Sequence, residues 1–133
     1  MHELVRRMGV AVVILGGVLG LVGCQPATVY YTQLLTPPHA MTPHRVEDVE
    51  VLVVTPPAAP HVDVGILQVT TGDDARTSTA MVARLRSEAA ARGCDALLIT
   101  TVESQAPGRT GRPSIQGSCV VYKTPSAATA RKS

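Results

Sequence analysis

The chain has 133 residues, a formal net charge of +2 and 17% charged residues, enough for one domain at most. It contains no Phe, no Trp and three Tyr, so any core is built from Val, Leu, Ile and Ala. No basic block is present, which excludes the usual footprint of a nucleic-acid-binding protein.

The N-terminus starts basic, with Arg6 and Arg7 against Glu3. From Met8 to Gly23 there is no charge, and Val10, Val12, Val13, Ile14, Leu15, Val18, Leu19, Leu21 and Val22 dominate. A membrane-spanning helix needs roughly 20 apolar residues. This run is shorter and has the layout of a secretory signal. Leu21-Val22-Gly23-Cys24 closes it and resembles the lipobox of bacterial lipoproteins. The resemblance implies a lipid on the Cys24 thiol, loss of residues 1–23, and often a third acyl chain on the freed amine. The alternatives are an uncleaved anchor, or a soluble exported protein with a chance cysteine. One acyl chain holds a protein to a membrane only marginally, and two or more hold it stably. In that family Gln25 after the cysteine leans towards the outer membrane.

Beyond the signal the balance is close to neutral: 12 Lys and Arg less Arg6 and Arg7, against 10 Asp and Glu less Glu3. Residues 24–45, interrupted by Pro26, Pro37, Pro38 and Pro43, read as a lipid-anchored, semi-rigid tether. Inside it, Thr28–Leu35 has strand-like composition. It can pack on the domain or lie near lipid headgroups, where Tyr is at home, and packing is preferred.

A small domain is expected over residues 46–123. Val46–Val54 alternates and reads as a strand ended by Pro56, Pro57 and Pro60, and Val62–Thr70 reads as a second, with Gly65 marking a bulge or a close backbone approach. Asp73 or Asp74 is the expected N-cap of a helix that stops at Gly93. Ala75, Ser78, Met81, Val82, Leu85 and Ala89 form its buried stripe, with Arg76, Ser87 and Ala90 facing away. Arg84 and Glu88 form an i,i+4 ion pair. Cys94–Val102 is a continuous apolar strand, and a Gly/Pro/Arg loop over 103–113 leads to a last strand, Ile115–Lys123. Residues 124–133 read as a disordered tail. The expected fold is α/β (α+β) and two-layered. A small mixed sheet of about four strands carries one helix on one face, in the order β-β-α-β-β.

With Cys24 lipidated, Cys94 and Cys119 are left, and exported chains meet an oxidising compartment where such pairs persist. A disulfide between them closes a loop worth roughly 3 kcal/mol. Two free thiols, or a redox or metal-binding pair, are the alternatives. No CxxC spacing favours them.

Ser87–Thr100 (SEAAARGCDALLIT) followed by Gly117–Tyr122 (GSCVVY) resembles a family of small bacterial envelope lipoproteins of unknown function. It is similar in pattern to the envelope-stress sensor lipoproteins of the Rcs phosphorelay, and more remotely to YbjQ-like domains once labelled heavy-metal-binding. The Rcs likeness implies a disulfide-stapled domain, in which Cys94 and Cys119 match a single bridge.

Candidate chemistry is sparse. His39, His44 and His61 could hold Zn²⁺ or Cu²⁺ if the fold converged them. Their spacing matches no zinc motif, and they are expected to be solvated loop residues. Asp73-Asp74 and the Asp48/Glu50 pair are candidate acid–base or metal carboxylates, with helix capping expected of the first. Asp95 would raise the pKa of a Cys94 thiol rather than activate it. Arg109 and Arg112 could meet anionic lipid or a partner. No catalytic residue, metal or cofactor is expected, and no nucleic-acid partner. The expected function is a non-enzymatic outer-membrane lipoprotein, tethered through Cys24, whose domain serves as an envelope interaction or structural module with a possible protein partner. A stress sensor reaching between membranes on its tether, and a metal-binding protein, are the alternatives.

Overall fold

The computed structural model of the chain describes residues 23, 25–72, 75–103 and 112–125. The signal segment, Cys24, Asp73-Asp74, Arg109 and the tail beyond Pro125 lie outside them. The elements are β1 (Val29–Gln33), a 3-10 turn (Val46–Asp48), β2 (Glu50–Val53), β3 (His61–Thr70), α1 (Ser78–Arg92), β4 (Ala96–Glu103) and β5 (Ser114–Tyr122).

The α+β class is as expected, but the sheet has five strands, in the order β1-β3-β5-β4-β2. The extra strand is β1, drawn from the stretch assigned to the tether. It pairs antiparallel with β3, Val29 opposite Val69 and Gln33 opposite Gly65. The central strands β3, β5 and β4 are antiparallel neighbours, whereas β2 pairs parallel with β4 at the far edge. Only three residues of the Val46–Val54 strand expectation precede Val49 as a helical turn, and the strand proper is Glu50–Val53.

Those pairings give β2, β4 and β3 one direction. Residues 54–60 must therefore return from the far edge over β4 and β5 to the start of β3. The turn into this crossing is sharp. Val54 has φ 64°, and the Thr55 N–H donates to the Val53 carbonyl at 2.7 Å, a γ-turn of the strained, positive-φ kind. A β-branched residue in that region is a backbone outlier.

The helix covers one face. Leu67, Leu85, Leu97, Ile115, Val64 and Val69 are fully buried between helix and sheet, and a smaller cluster of Ala96, Leu98 and Val120 lies apart with Leu52 and Tyr122. Met81, Leu85 and Ala89 are buried as expected, and Ala90 is buried as well rather than facing away. The helix also begins later than the acidic pair implied. Thr77 is the N-cap, its side chain accepting the Ala80 N–H at 3.2 Å, which satisfies one of the helix's free N-terminal donors. Glu88 pairs with Arg92 at 2.9 Å, not with Arg84, and the Arg92 guanidinium stacks 4.1 Å over the Tyr31 ring. An acidic residue four positions before its basic partner is the better-oriented pair on a helix, which favours Arg92 over Arg84.

Gly93 ends the helix in a left-handed conformation, φ 84°. Its N–H donates to the Ala90 carbonyl and that of Cys94 to the Ala89 carbonyl, the paired closure that a left-handed glycine permits. Gly65 sits at the β3 register shift, where any side chain would collide with the Tyr31 ring.

Residues 25–45 are not a free tether. Ala27 is buried in the core. Leu34 and Leu35 N–H groups both donate to Val64, and the His44 N–H donates to the Ala90 carbonyl at 2.8 Å, helping to cap the helix. The Thr42 backbone lies so close over Gly93 that a Cβ there would sit 2.6 Å from the Thr42 oxygen. Prolines space the segment into an extended strap, and beyond β1 the N–H groups of Leu34, Leu35 and His44 find acceptors on the domain.

Candidate functional site

Two features stand out, at opposite ends of the sheet. The first is a polar cluster where the strap crosses the end of β5. Asp95, between Cys94 and β4, is buried. Its Oδ1 accepts from His44 Nε2 at 3.0 Å, and its Oδ2 accepts the Tyr122 N–H at 2.8 Å. The His44 and Asp95 side chains are only 8% and 3% exposed. Beside them, His39 Nε2 lies 2.9 Å from the Tyr122 carbonyl oxygen, and the Tyr122 hydroxyl donates to Glu50 Oε2 at 2.9 Å. The Cys94–Cys119 disulfide lies directly beneath, Cα atoms 5.4 Å apart and both cysteines fully buried.

The three candidate histidines are thus gathered around Tyr122, since His61 is its partner across the β3–β5 ladder. They do not share a ligand site. His39 faces the Ala40 and Tyr122 carbonyls, His44 faces Asp95, and His61 faces the Ala59 carbonyl. Among the described residues no group of three or more His, Cys, Asp or Glu is arranged to hold a metal ion. The expectation of solvated loop histidines fails for His44, whose side chain is largely covered. Glu50 serves Tyr122 rather than pairing with Asp48. A buried His–Asp pair invites a catalytic reading, which would need a nucleophile on the histidine. Among the described residues His44 bonds to no hydroxyl or thiol, and the pair acts as a pin between strap and sheet.

Sequence reading missed this pair, whose members lie 51 residues apart. One signal was present: a carboxylate inside an apolar run beside a buried cysteine requires a partner.

Partial burial, together with the Glu50 hydrogen bond and the negative charges of Glu50 and Asp95, pushes the Tyr122 phenol up to about 12. An unfolded tyrosine titrates near 10. The folded state therefore holds the proton more tightly. The resulting stabilisation is complete below about pH 10 and drains away as pH rises towards about 12. The urea midpoint of the wild type is expected to fall through that window more steeply than that of Tyr122→Phe. Parallel profiles would show that the phenol is not coupled to folding.

The second feature is an apolar groove of about 320 Å³ at the other end of the helix, walled by Val51, Val53, Val82, Ile99, Val102 and Ile115 with Ser78 and Thr79 at its edge. It exists because β2 stops at Val53, opposite Ile99, while β4 runs on to Glu103. A bulge between Ile99 and Thr101 shifts the register, which turns Val102 to the same face as Ile99. Val53, Val54 and Val102 are 64%, 76% and 56% exposed, unusual for large apolar residues clustered at one edge. A second hollow, lined by Arg76, Glu103, Pro113 and Met81, shares Ser78, Val102 and Ile115 with the groove and adjoins it. Arg112, a candidate contact for anionic lipid or a partner, donates to Gln25 Oε1 at 3.1 Å, one residue before Pro113 in this hollow's lining.

Among the described residues no helix is long and apolar enough to cross a membrane. No protein-family description matches the chain, and no curated protein matches it significantly. Among solved structures, the chain is similar in fold to the crystal structure of a Francisella virulence factor, FvfA, in its orthorhombic form. The TM-score is 0.50 at 9% identity, over 74% of this chain and 100% of that one.

Proposed function

We propose that this chain is a lipid-anchored protein of the bacterial envelope, held through Cys24 to the outer membrane, whose domain is a non-enzymatic interaction or structural module. The observation that carries the reading is the lipobox-like Leu21–Cys24 behind a basic start and an apolar run. The buried Cys94–Cys119 disulfide supports it, because such bridges persist in oxidising compartments and are rare in the cytosol. The absence of a free tether refines it. Ordered contacts begin at Gln25, so the domain works close to the membrane surface. A sensor reading drew on reach from a long Pro-rich tether, and the docked strap removes that support.

Intact mass of the protein from the membrane fraction is expected to show a chain beginning at Cys24 and carrying lipid. Cys24→Ala is expected to release the domain from the membrane. A wild-type protein without lipid would end the reading. Crosslinking in intact envelopes is expected to capture a protein partner. Turnover of an envelope substrate by the purified domain, dependent on residues in one pocket, would overturn the non-enzymatic assignment.

A further inference from the structure

We propose that the groove between the start of α1 and the β2–β4 edge holds one acyl chain of the protein's own lipid. The inference rests on the lipoprotein reading above and adds a binding site to it. Three observations bear on it. The first is where the chain leaves the described fold. Gln25 directly follows the lipid-bearing residue, and its side chain is tied to Arg112 at 3.1 Å. Arg112 is followed by Pro113, which lines the entrance hollow. Gln25, the residue next to the anchor in sequence, is therefore held beside the hollow that adjoins the groove.

The second observation is the chemistry of the path. The entrance carries Arg76 and Glu103, polar groups suited to the ester and amide region of a lipid. Further in, the walls are valine and isoleucine, with only the Ser78 and Thr79 hydroxyls interrupting them. No charged side chain lines this inner part, so it offers little to a polar peptide and a dry surface to a hydrocarbon. Its volume of about 320 Å³ is at the lower end of small-molecule sites.

The third observation is the exposed rim. Val53 and Val102 line the groove and are 64% and 56% exposed, and an occupying chain would cover apolar surface that water now meets. A triacylated cysteine can spare one chain, because two already anchor a protein stably. Seating that chain in the groove fixes the orientation of the domain, with the Gln25–Arg112 end facing the bilayer.

The test uses the full lipidated protein from cells fed a fatty acid that carries a photoreactive diazirine and an alkyne. Intact mass before irradiation reports whether Cys24 carries the labelled chain. After irradiation, crosslinks within one molecule are expected in the peptides containing Val82, Val102 and Ile115. Thr79→Trp and Val53→Trp, each filling the groove from an exposed wall, are expected to cut their yield at least fivefold with the lipid mass unchanged. Labelled but unchanged yields in both variants, or crosslinks confined to bilayer lipid and residues 25–33, would overturn the groove assignment and leave the lipoprotein reading standing. Groove crosslinks to a separate, non-covalent phospholipid would overturn the choice of occupant. Absence of lipid from Cys24 would overturn both readings.

Discussion

Replacing Cys94 and Cys119 together with alanine is expected to lower the stability of the domain by about 3 kcal/mol. The two cysteines lie 25 residues apart in sequence. Cross-linking them removes loop-closure freedom from the unfolded chain in the simplest account of disulfide stabilisation. The native position adds to that loss. Cys94 follows the helix stop at Gly93, and Cys119 sits in β5, the central strand of the sheet. The bridge therefore joins the end of the helix, the start of β4 and the middle of the sheet at one point. Small domains of this kind have only about 5–15 kcal/mol in total, so the loss is a large fraction. For a domain of this size it corresponds to a urea-midpoint drop of roughly 2 M. Wild-type protein unfolded under non-reducing conditions is expected to yield no thiol from Cys94 or Cys119. Two reactive thiols, or equal midpoints for the oxidised wild type and the double variant, would show that the bridge does not hold the fold. Both cysteines are fully buried, so reduction of the native protein is expected to wait on opening of the domain and to accelerate with urea.

What could be read in the sequence depended on how local its cause was. Gly93 as a helix stop and Gly65 as a bulge each follow from a residue and its neighbours. The strands around 62–70, 94–102 and 115–123 follow from runs of Val, Ile and Leu too apolar to be exposed. The features that misled were long-range. Thr77 displaced the acidic pair as the cap because the chain makes an isolated bridge between Gly72 and Ala75 before the helix starts. The strand Val29–Gln33 could be seen as strand-like, but not as the edge partner of β3, because its prolines suggested a tether. Those prolines instead keep residues 36–45 extended while the strap crosses the end of the sheet. The parallel pairing of β2 with β4 depends on the return of residues 54–60 across the sheet, and no local pattern announces that. The groove is legible only once the lengths of β2 and β4 are compared, since it is the space left where the shorter strand ends.

Asp95→Ala is expected to cost about 3 kcal/mol, and to do so through the strap. The carboxylate is shared by two donors, His44 Nε2 and the Tyr122 N–H. Its removal strands both in a region where water reaches little of either side chain. A buried unsatisfied donor costs roughly 1–3 kcal/mol, and this change leaves two of them. Asp95→Asn separates the two contributions. Its oxygen can still accept the Tyr122 N–H, and its amide can donate to His44 in the tautomer that leaves Nε2 unprotonated, so the expected loss is only about 1 kcal/mol. His44→Ala is expected to cost about 2 kcal/mol by leaving Asp95 Oδ1 without its partner. The double variant His44→Ala/Asp95→Ala should then lose less than the sum of the two single losses, because each single change already removes the shared bond. Urea unfolding of the four proteins closes the cycle, and additive losses would mean that the pair does not hold the strap. The same series reads the strap directly. The His44 N–H donates to the Ala90 carbonyl, where the helix ends. Amide exchange at His44 is therefore expected to accelerate in Asp95→Ala far more than exchange in β5 residues such as Ser118. Equal acceleration at both positions would show that the aspartate stabilises the domain as a whole and does not act as the latch between the strap and its core.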